Sequence, residues 1–342
     1  MGKTDVSAPA AMRENDIRPD ALRAGQRAAY ERDLQRLRED LPQFVEVPCP
    51  ACAAAERTPI FQKYGFQFQS CRLCRTIYMS PRPTPAVMGR YYGNSENYRY
   101  WAEHIFPASE DMRREKIHRP MLEYIVAVCE RSQVPRNLLV EIGPGFGTFA
   151  ALAQQSAAFR RVIAIERTPE MAAACRKRGV EIIEQAVEDV SLEQVGQADV
   201  VVSFEVIEHL FEPRSYVERC ATLVRTGGLL VLSCPNGLGF DVAMLGANAA
   251  AVDSEHVNLF NPESLAGLLV RSGFDVLEVM TPGRLDAEFV RAAALEGSFD
   301  LSGDPFLSRV LIEDWERLGL PFQQFLAAQQ LSSHMRIVAR RK

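Results

Sequence analysis

Short apolar runs alternate with amphipathic stretches over the second half of the chain, and that alternation predicts its architecture. Leu138, Leu139, Val140 and Ile142 are too few for a helix and too uniformly apolar for an exposed strand. They read as a buried parallel strand. Further strands follow at 161–165, 181–185, 199–204, 229–233 and 274–280, with helical patterns between them, including 263–272, which Gly273 ends. A last strand at 335–340 closes the series. The expected fold is α/β: a seven-stranded, mostly parallel sheet with helices on both faces.

Upstream the period changes. Tyr30, Leu34, Leu37 and Leu41 recur at helical spacing, with Leu22 and Ala29 before them, which predicts an amphipathic helix from Asp20 to just before Pro42. Gly25 weakens its first turns. Seven arginines between Arg13 and Arg38 are interleaved with acids and read as a solvated helix face. Residues 1 to about 18 hold little apolar content and are expected to be a disordered tail. Tyr64, Phe66 and Phe68 alternate with polar residues as a hairpin strand does. A proline-rich connector at 79–85 leads to Tyr91, Tyr92, Tyr98, Tyr100 and Trp101, aromatics that suit a small-molecule pocket or an internal interface. A helix is expected over 110–131, and another near 305–330 inside a detour that reads as a lid or a homodimer surface. The chain thus divides into 1–44 (tail and helix), 45–80, 81–134 (connector and helical cap), 135–282 (core) and 283–342 (insertion and final strand).

Composition narrows the function. The 342 residues, 47% hydrophobic, are enough for a full core and an accessory domain. With 39 basic and 44 acidic residues well mixed and a net charge of -5, no global field draws nucleic acid or an anionic membrane. No run approaches the ~18 apolar residues of a membrane helix, and the N-terminus lacks a signal-peptide core, so a cytoplasmic protein is expected.

Cys49-Pro-Ala-Cys52 and Cys71-Arg-Leu-Cys74 are two C-x-x-C knuckles separated by eighteen residues, the spacing of a four-thiolate zinc site. Two disulfides or four incidental thiols are the alternatives. In a reducing compartment zinc is expected, and with four thiolates filling its tetrahedron the metal would be structural. Residues 47–80 then read as an N-terminal zinc ribbon. Cys129, Cys175, Cys220 and Cys234 are scattered and read as core thiols.

The first core strand runs into Glu141-Ile-Gly143-Pro-Gly145-Phe-Gly147-Thr148. Glycines there admit unusual dihedrals and close approach of a ligand, while the following helix points unpaired amides at it. A tight turn would need glycine without any ligand, and a dinucleotide fingerprint would need its third glycine at Thr148 rather than Gly147. The pattern E-x-G-x-G-x-G resembles the first motif of class I S-adenosylmethionine-dependent methyltransferases, whose Rossmann-like sheet ends in an antiparallel strand.

That resemblance extends over residues 45–342 and implies a site. Glu141, Gly143, Gly145 and Gly147 would cradle the cofactor. Glu166, at the end of the second strand and nineteen residues after Gly147, would accept the ribose hydroxyls. Val187 and Glu188 would border the adenine, and Phe204 and Glu205 the methyl group. Glu205-Val-Ile-Glu208-His209 matches the E-x-x-E-H segment of ubiquinone-biosynthesis O-methyltransferases, where the acids and histidine are implicated in binding a divalent cation, so magnesium joins S-adenosylmethionine and zinc as a candidate cofactor. In other relatives that histidine faces substrate or caps a helix. His256 precedes the last core helix at the pocket mouth and is the favoured general base, with His209 positioning and Tyr92 or Tyr98 next in line. The chain is similar to bacterial methyltransferases with an N-terminal zinc ribbon, several of which act on sugars or other biosynthetic intermediates. A small-molecule acceptor is therefore expected. The alternatives are an RNA methyltransferase gripping nucleic acid with the ribbon, where 45–80 offers only Arg57, Lys63, Arg72 and Arg75 as cations, and a non-catalytic scaffold.

Overall fold

The structure is a computed structural model and describes residues 13–342. Its strands are β1 (Arg57–Lys63), β2 (Phe66–Cys71), β3 (Ile77–Met79), β4 (Leu138–Ile142), β5 (Arg161–Ile165) and β6 (Glu181–Ile183). These are followed by β7 (Ala198–Phe204), β8 (Val224–Pro235), β9 (Asn258–Leu259), β10 (Phe274–Met280) and β11 (His334–Arg341). Seven of them form the expected sheet in the order β10-β11-β8-β7-β4-β5-β6. Neighbours from β8 to β6 pair in parallel, and only β11 runs against the rest. Because β4 lies between strands that lead away in opposite directions, the crevice beyond its carboxyl end is where such a sheet takes a ligand.

The alternation along each strand sorts its side chains into two layers. Val140, Ile142, Val201, Leu230 and Leu232 face the helices Pro213–Leu223 and Pro262–Arg271. Leu139, Val200, Val202 and Val231 face Arg119–Arg131 and Thr148–Gln155. A third apolar cluster joins the two ends of the chain. Leu34 and Leu37 of the helix Asp20–Glu39 meet Phe66 and Phe68 of β2 and Val290, Leu307 and Leu311 of the C-terminal insertion. That cluster forms a cap beside the sheet. Asp33, buried at 1% exposure, ties it down by accepting from Ser95 Oγ (2.7 Å) and from the amides of Glu96 (3.0 Å) and Asn97 (2.8 Å).

Several expectations are corrected. The tail ends sooner than composition suggests: Glu14–Ile17 is a helical turn, Asp16 pairs with Lys116 at 2.9 Å, and Arg113 donates to the Ile17 carbonyl at 2.8 Å. Residues 1–12 of that tail lie outside the described residues. Tyr64 is not in a strand but, with φ +55°, forms the β1–β2 turn with Gly65. The helix expected over 110–131 begins at Glu96, passing through two wide turns, Trp101–Ile105 and Arg114–His118. Each wide turn stands just before a proline, Pro107 or Pro120, where an extra residue absorbs the missing amide and the ring's clash. The insertion is helical from Asp286, earlier than expected, and carries the exposed Leu295, Phe306, Leu320 and Phe325. The 45–80 module is not a separate sheet, since β3 pairs with β9 from the core through Ile77–Leu259 and Tyr78–Asn258. Among the described residues no helix is long and apolar enough to cross a membrane.

Candidate functional site

The glycine turn after β4 separates three glycines by what limits them. All three have positive φ: +70° at Gly143, +55° at Gly145 and +77° at Gly147. A Cβ on Gly143 would lie 2.6 Å from Val206 Cγ2, and one on Gly147 2.7 Å from Cys175 Sγ, so the protein's own packing demands those two. Around Gly145 a Cβ would meet nothing within 4 Å, which leaves its backbone open to a ligand. Beneath the turn, Glu141 is buried, its Oε2 has no partner among the described residues, and burial pushes its carboxyl up to about 8. A buried carboxyl oxygen without a partner is costly unless a ligand satisfies it. Glu166 ends β5, as expected, with Oε1 accepting from the Thr168 amide at 2.8 Å and burial raising its pKa. Val187 is buried and Glu188 is exposed beside it, both in the turn that follows β6.

A cavity of about 930 Å³ opens beyond these strand ends, roofed by the cap and the insertion. Phe146, Phe204, Glu205 and His256 line it. Glu205 is held at φ +54°, and its carboxylate accepts from Ser233 Oγ at 2.7 Å and lies 3.6 Å from His334. The His256 amide donates to Asp253 Oδ1 at 2.7 Å, and its Nδ1 lies 2.9 Å from the Ala251 carbonyl. A carbonyl can only accept, so Nδ1 carries a proton, and in the neutral ring Nε2 is the nitrogen that can take one. His209 stands behind His256 with ring centroids 4.8 Å apart, and its Nδ1 approaches the Glu255 carbonyl at 3.2 Å and Tyr92 Oη at 3.4 Å. Burial pushes the His209 imidazole down to about 3, so it is neutral at physiological pH. Glu208, His209 and His256 bring ligand atoms within 4.8 Å of one another, and both carboxyl oxygens of Glu208 are buried without a partner among the described residues. Glu205, the other acid of the E-x-x-E-H segment, is turned away onto Ser233.

The sequence did not single out Glu255, His118, Arg113, Arg284 or Arg336, all of which line the cavity. Glu255 accepts from Tyr91 Oη at 2.8 Å and is pushed up to about 8 by burial. His118 is pushed down to about 4, also by burial.

Outside the cavity lining, the four knuckle cysteines converge as their spacing predicts. Cys49 Sγ lies 3.5 Å from Cys74 Sγ and Cys52 Sγ 3.6 Å from Cys71 Sγ, and none is in a disulfide. A tetrahedron with Zn–S bonds of ~2.3 Å has edges of about 3.8 Å, so these two separations, with all four sulfurs within 4.8 Å of one another, are compatible with zinc. Each knuckle is shaped by a residue with positive φ, Ala53 (+61°) or Arg75 (+59°), whose amide bonds back to Cys49 or Cys71.

Comparison with known proteins agrees with this geometry. The family described as a methyltransferase domain matches residues 113–279. A ubiquinone biosynthesis O-methyltransferase of Xanthomonas campestris is 30% identical over 203 residues, 57% of this chain and 73% of that protein. One from Xanthomonas oryzae is 29% identical over 202 residues, with the same two coverages of 57% and 73%. Among solved structures, an S-adenosylmethionine-dependent methyltransferase from Clostridium acetobutylicum overlays with a TM-score of 0.45 at 10% identity, over 71% of this chain and 98% of that one. The glycine turn on β4, the strand order and this kinship agree: the chain belongs to the class I S-adenosylmethionine-dependent methyltransferases.

Proposed function

We propose that this methyltransferase acts on a small biosynthetic intermediate, such as a sugar or nucleotide-linked sugar, bound in the cavity beside His256. The observation that carries this reading is the size of that cavity and its place beside His256. A cavity of about 930 Å³ roofed by the cap falls in the ~300–1,000 Å³ range of small-molecule sites. The RNA alternative has little support from charge. In the 45–80 module Arg57 pairs with Glu46, Arg75 pairs with Glu263 at 3.3 Å, and Lys63 turns inward to the Ala249 carbonyl at 2.9 Å, which leaves Arg72.

In this reading Gly143, Gly145 and Gly147 admit the cofactor, with Glu141 and Glu166 accepting hydrogen bonds from its polar groups. Val187 and Glu188 border its base, and Phe204 and Glu205 flank the reacting end. S-adenosylmethionine supplies a methyl group already made electrophilic by its sulfonium. The chain's task is then to hold a nucleophile in line and take its proton, and alignment can contribute ~7–11 kcal/mol. His256 Nε2 is the group we assign to the proton, and His209, neutral and packed behind it, keeps the ring oriented. The four cysteines hold structural zinc. Should a second cation bind at Glu208, His209 and His256, two imidazoles and one carboxylate would suit a transition metal better than magnesium, which prefers oxygen ligands.

Incubating full-length protein and cofactor with pools of sugar and nucleotide-sugar intermediates should yield a product heavier by one methyl group. If only RNA acquires the methyl group, the small-molecule reading falls.

A further inference from the structure

One end of the cavity gathers five cations, Arg18, Arg113, Lys116, Arg284 and Arg336, from three distant parts of the chain. Two of them have carboxylate partners: Lys116 pairs with Asp16 at 2.9 Å, and Arg18 lies 3.6 Å from Glu14. The other three have none among the described residues. Arg113 is held by Ser109 Oγ (3.0 Å), the Ile17 carbonyl (2.8 Å) and the face of Trp101. Arg284 donates to the Lys116 carbonyl at 3.0 Å, and Arg336 is held by Met121 Sδ (3.1 Å) and the Tyr124 ring. Each is aimed by neutral groups and none has a carboxylate at ion-pair distance among the described residues, although Glu278, itself paired with Arg131, attracts Arg336 from further away. Each is also partly buried, and burial lowers the pKa of all three, while Arg336 Nε has no partner at all among the described residues.

A guanidinium cannot shed its proton near neutral pH, so a protein that buries three together keeps an uncompensated charge unless a ligand supplies the counter-charge. The cofactor's methionine part brings one carboxylate and one ammonium, too little to balance three guanidiniums. We propose that this end of the cavity is an anion subsite: the acceptor carries a phosphate or carboxylate group seated among Arg113, Arg284 and Arg336. This rests on the small-molecule reading above and specifies the class of acceptor. It explains why the wide turn Arg114–His118 and the insertion's first loop meet here, since Arg284 docks on that turn's own Lys116 carbonyl.

The test uses full-length protein saturated with S-adenosylhomocysteine and titrated calorimetrically, at constant ionic strength, with inorganic pyrophosphate and separately with succinate. One of the two should bind saturably at one per chain, and which one does so identifies the group as phosphate or carboxylate. Arg284→Gln and Arg336→Gln should each weaken that anion by about ten- to a hundredfold while leaving S-adenosylhomocysteine within about threefold of wild type. Arg284→Lys keeps the charge but not the planar fork, so it should lose less, and it serves if the glutamine variant does not fold. Absence of saturable binding of either anion to wild-type protein overturns the proposal. So does an equal loss of anion and S-adenosylhomocysteine affinity, which would assign the arginines to the cofactor's carboxylate. Whether wild-type protein binds S-adenosylhomocysteine at all is a separate readout. Its failure would count against the cofactor assignment, while the two anion titrations would still decide the subsite.

Discussion

The cysteine cluster and the cavity are built in opposite ways. All four thiols come from one short stretch, Cys49 to Cys74, each pair shaped by a backbone turn of its own knuckle. The cavity draws its wall from Ile17 to Arg336, from the sheet, the cap and the insertion together. A local site of that kind stands or falls on one ligand, whereas a distributed one loses function by degrees as individual contacts go. The contrast also separates roles: the thiols face one another, while the cavity is lined by acids, imidazoles and guanidiniums, with Asp241 Oδ1 and Arg336 Nε left without a partner among the described residues.

The largest expected effect tests the all-or-none side. Structural zinc contributes ~10–16 kcal/mol of apparent binding energy in small modules, so Cys71→Ser should abolish the single zinc equivalent and lower the melting temperature by about 10 °C or more. Elemental analysis finding no zinc in chelator-free wild-type protein would break the comparison at its root. On the distributed side, His256→Ala should lower kcat by ~10²- to 10⁴-fold with cofactor affinity unchanged, as expected for loss of a general base. Wild-type turnover in that variant would move proton abstraction to Tyr98 or Glu255. Gly145→Val should weaken S-adenosylmethionine by about a hundredfold, or ~2.7 kcal/mol, because a side chain would enter the open space above the turn. Calorimetry showing equal affinity would remove the turn from the cofactor site.

The smallest effect concerns pH. His118 falls from 6.5 to about 4 on folding, so the unfolded chain takes up its proton first as pH drops. The stability from keeping it neutral is therefore complete above pH ~6.5 and is lost as pH falls toward 4. In His118→Phe the dependence of stability on pH over that window should be shallower by up to about 1.4 kcal/mol per pH unit. Chemical denaturation at several pH values would show it, and identical slopes would place the imidazole in water.

What could be read in the sequence follows the same division. The positions of the core strands, the turn at Gly143–Gly147 and the knuckles were legible because each is written in a local period or spacing. The sixth strand, Phe274–Met280, came out at its observed bounds. The start of the long helix was missed because Pro107 looks like a break until the wide turn Trp101–Ile105 before it absorbs the ring. Residues 13–18 looked like tail because their partners, Arg113 and Lys116, lie about a hundred positions away. Arg284 and Arg336 are indistinguishable from surface arginines until the insertion folds back over the sheet. His209 and His256 were both named, but only the packing shows that one ring stands behind the other.

The two-residue pairing of β3 with β9 has a practical consequence for anyone dividing this molecule. Asn258, two positions beyond His256, is a junction: it receives Arg82 at 3.0 Å and donates to the carbonyls of Ile207 and Leu210. Cutting the chain near residue 81 would leave β9 as a raw sheet edge, open to pairing with another chain, and would break the backbone pairing of the buried Arg82 with Val45. The cysteine module is therefore a splint on the loop that bears His256. A fusion, swap or truncation that keeps both must carry the splint along with the enzyme.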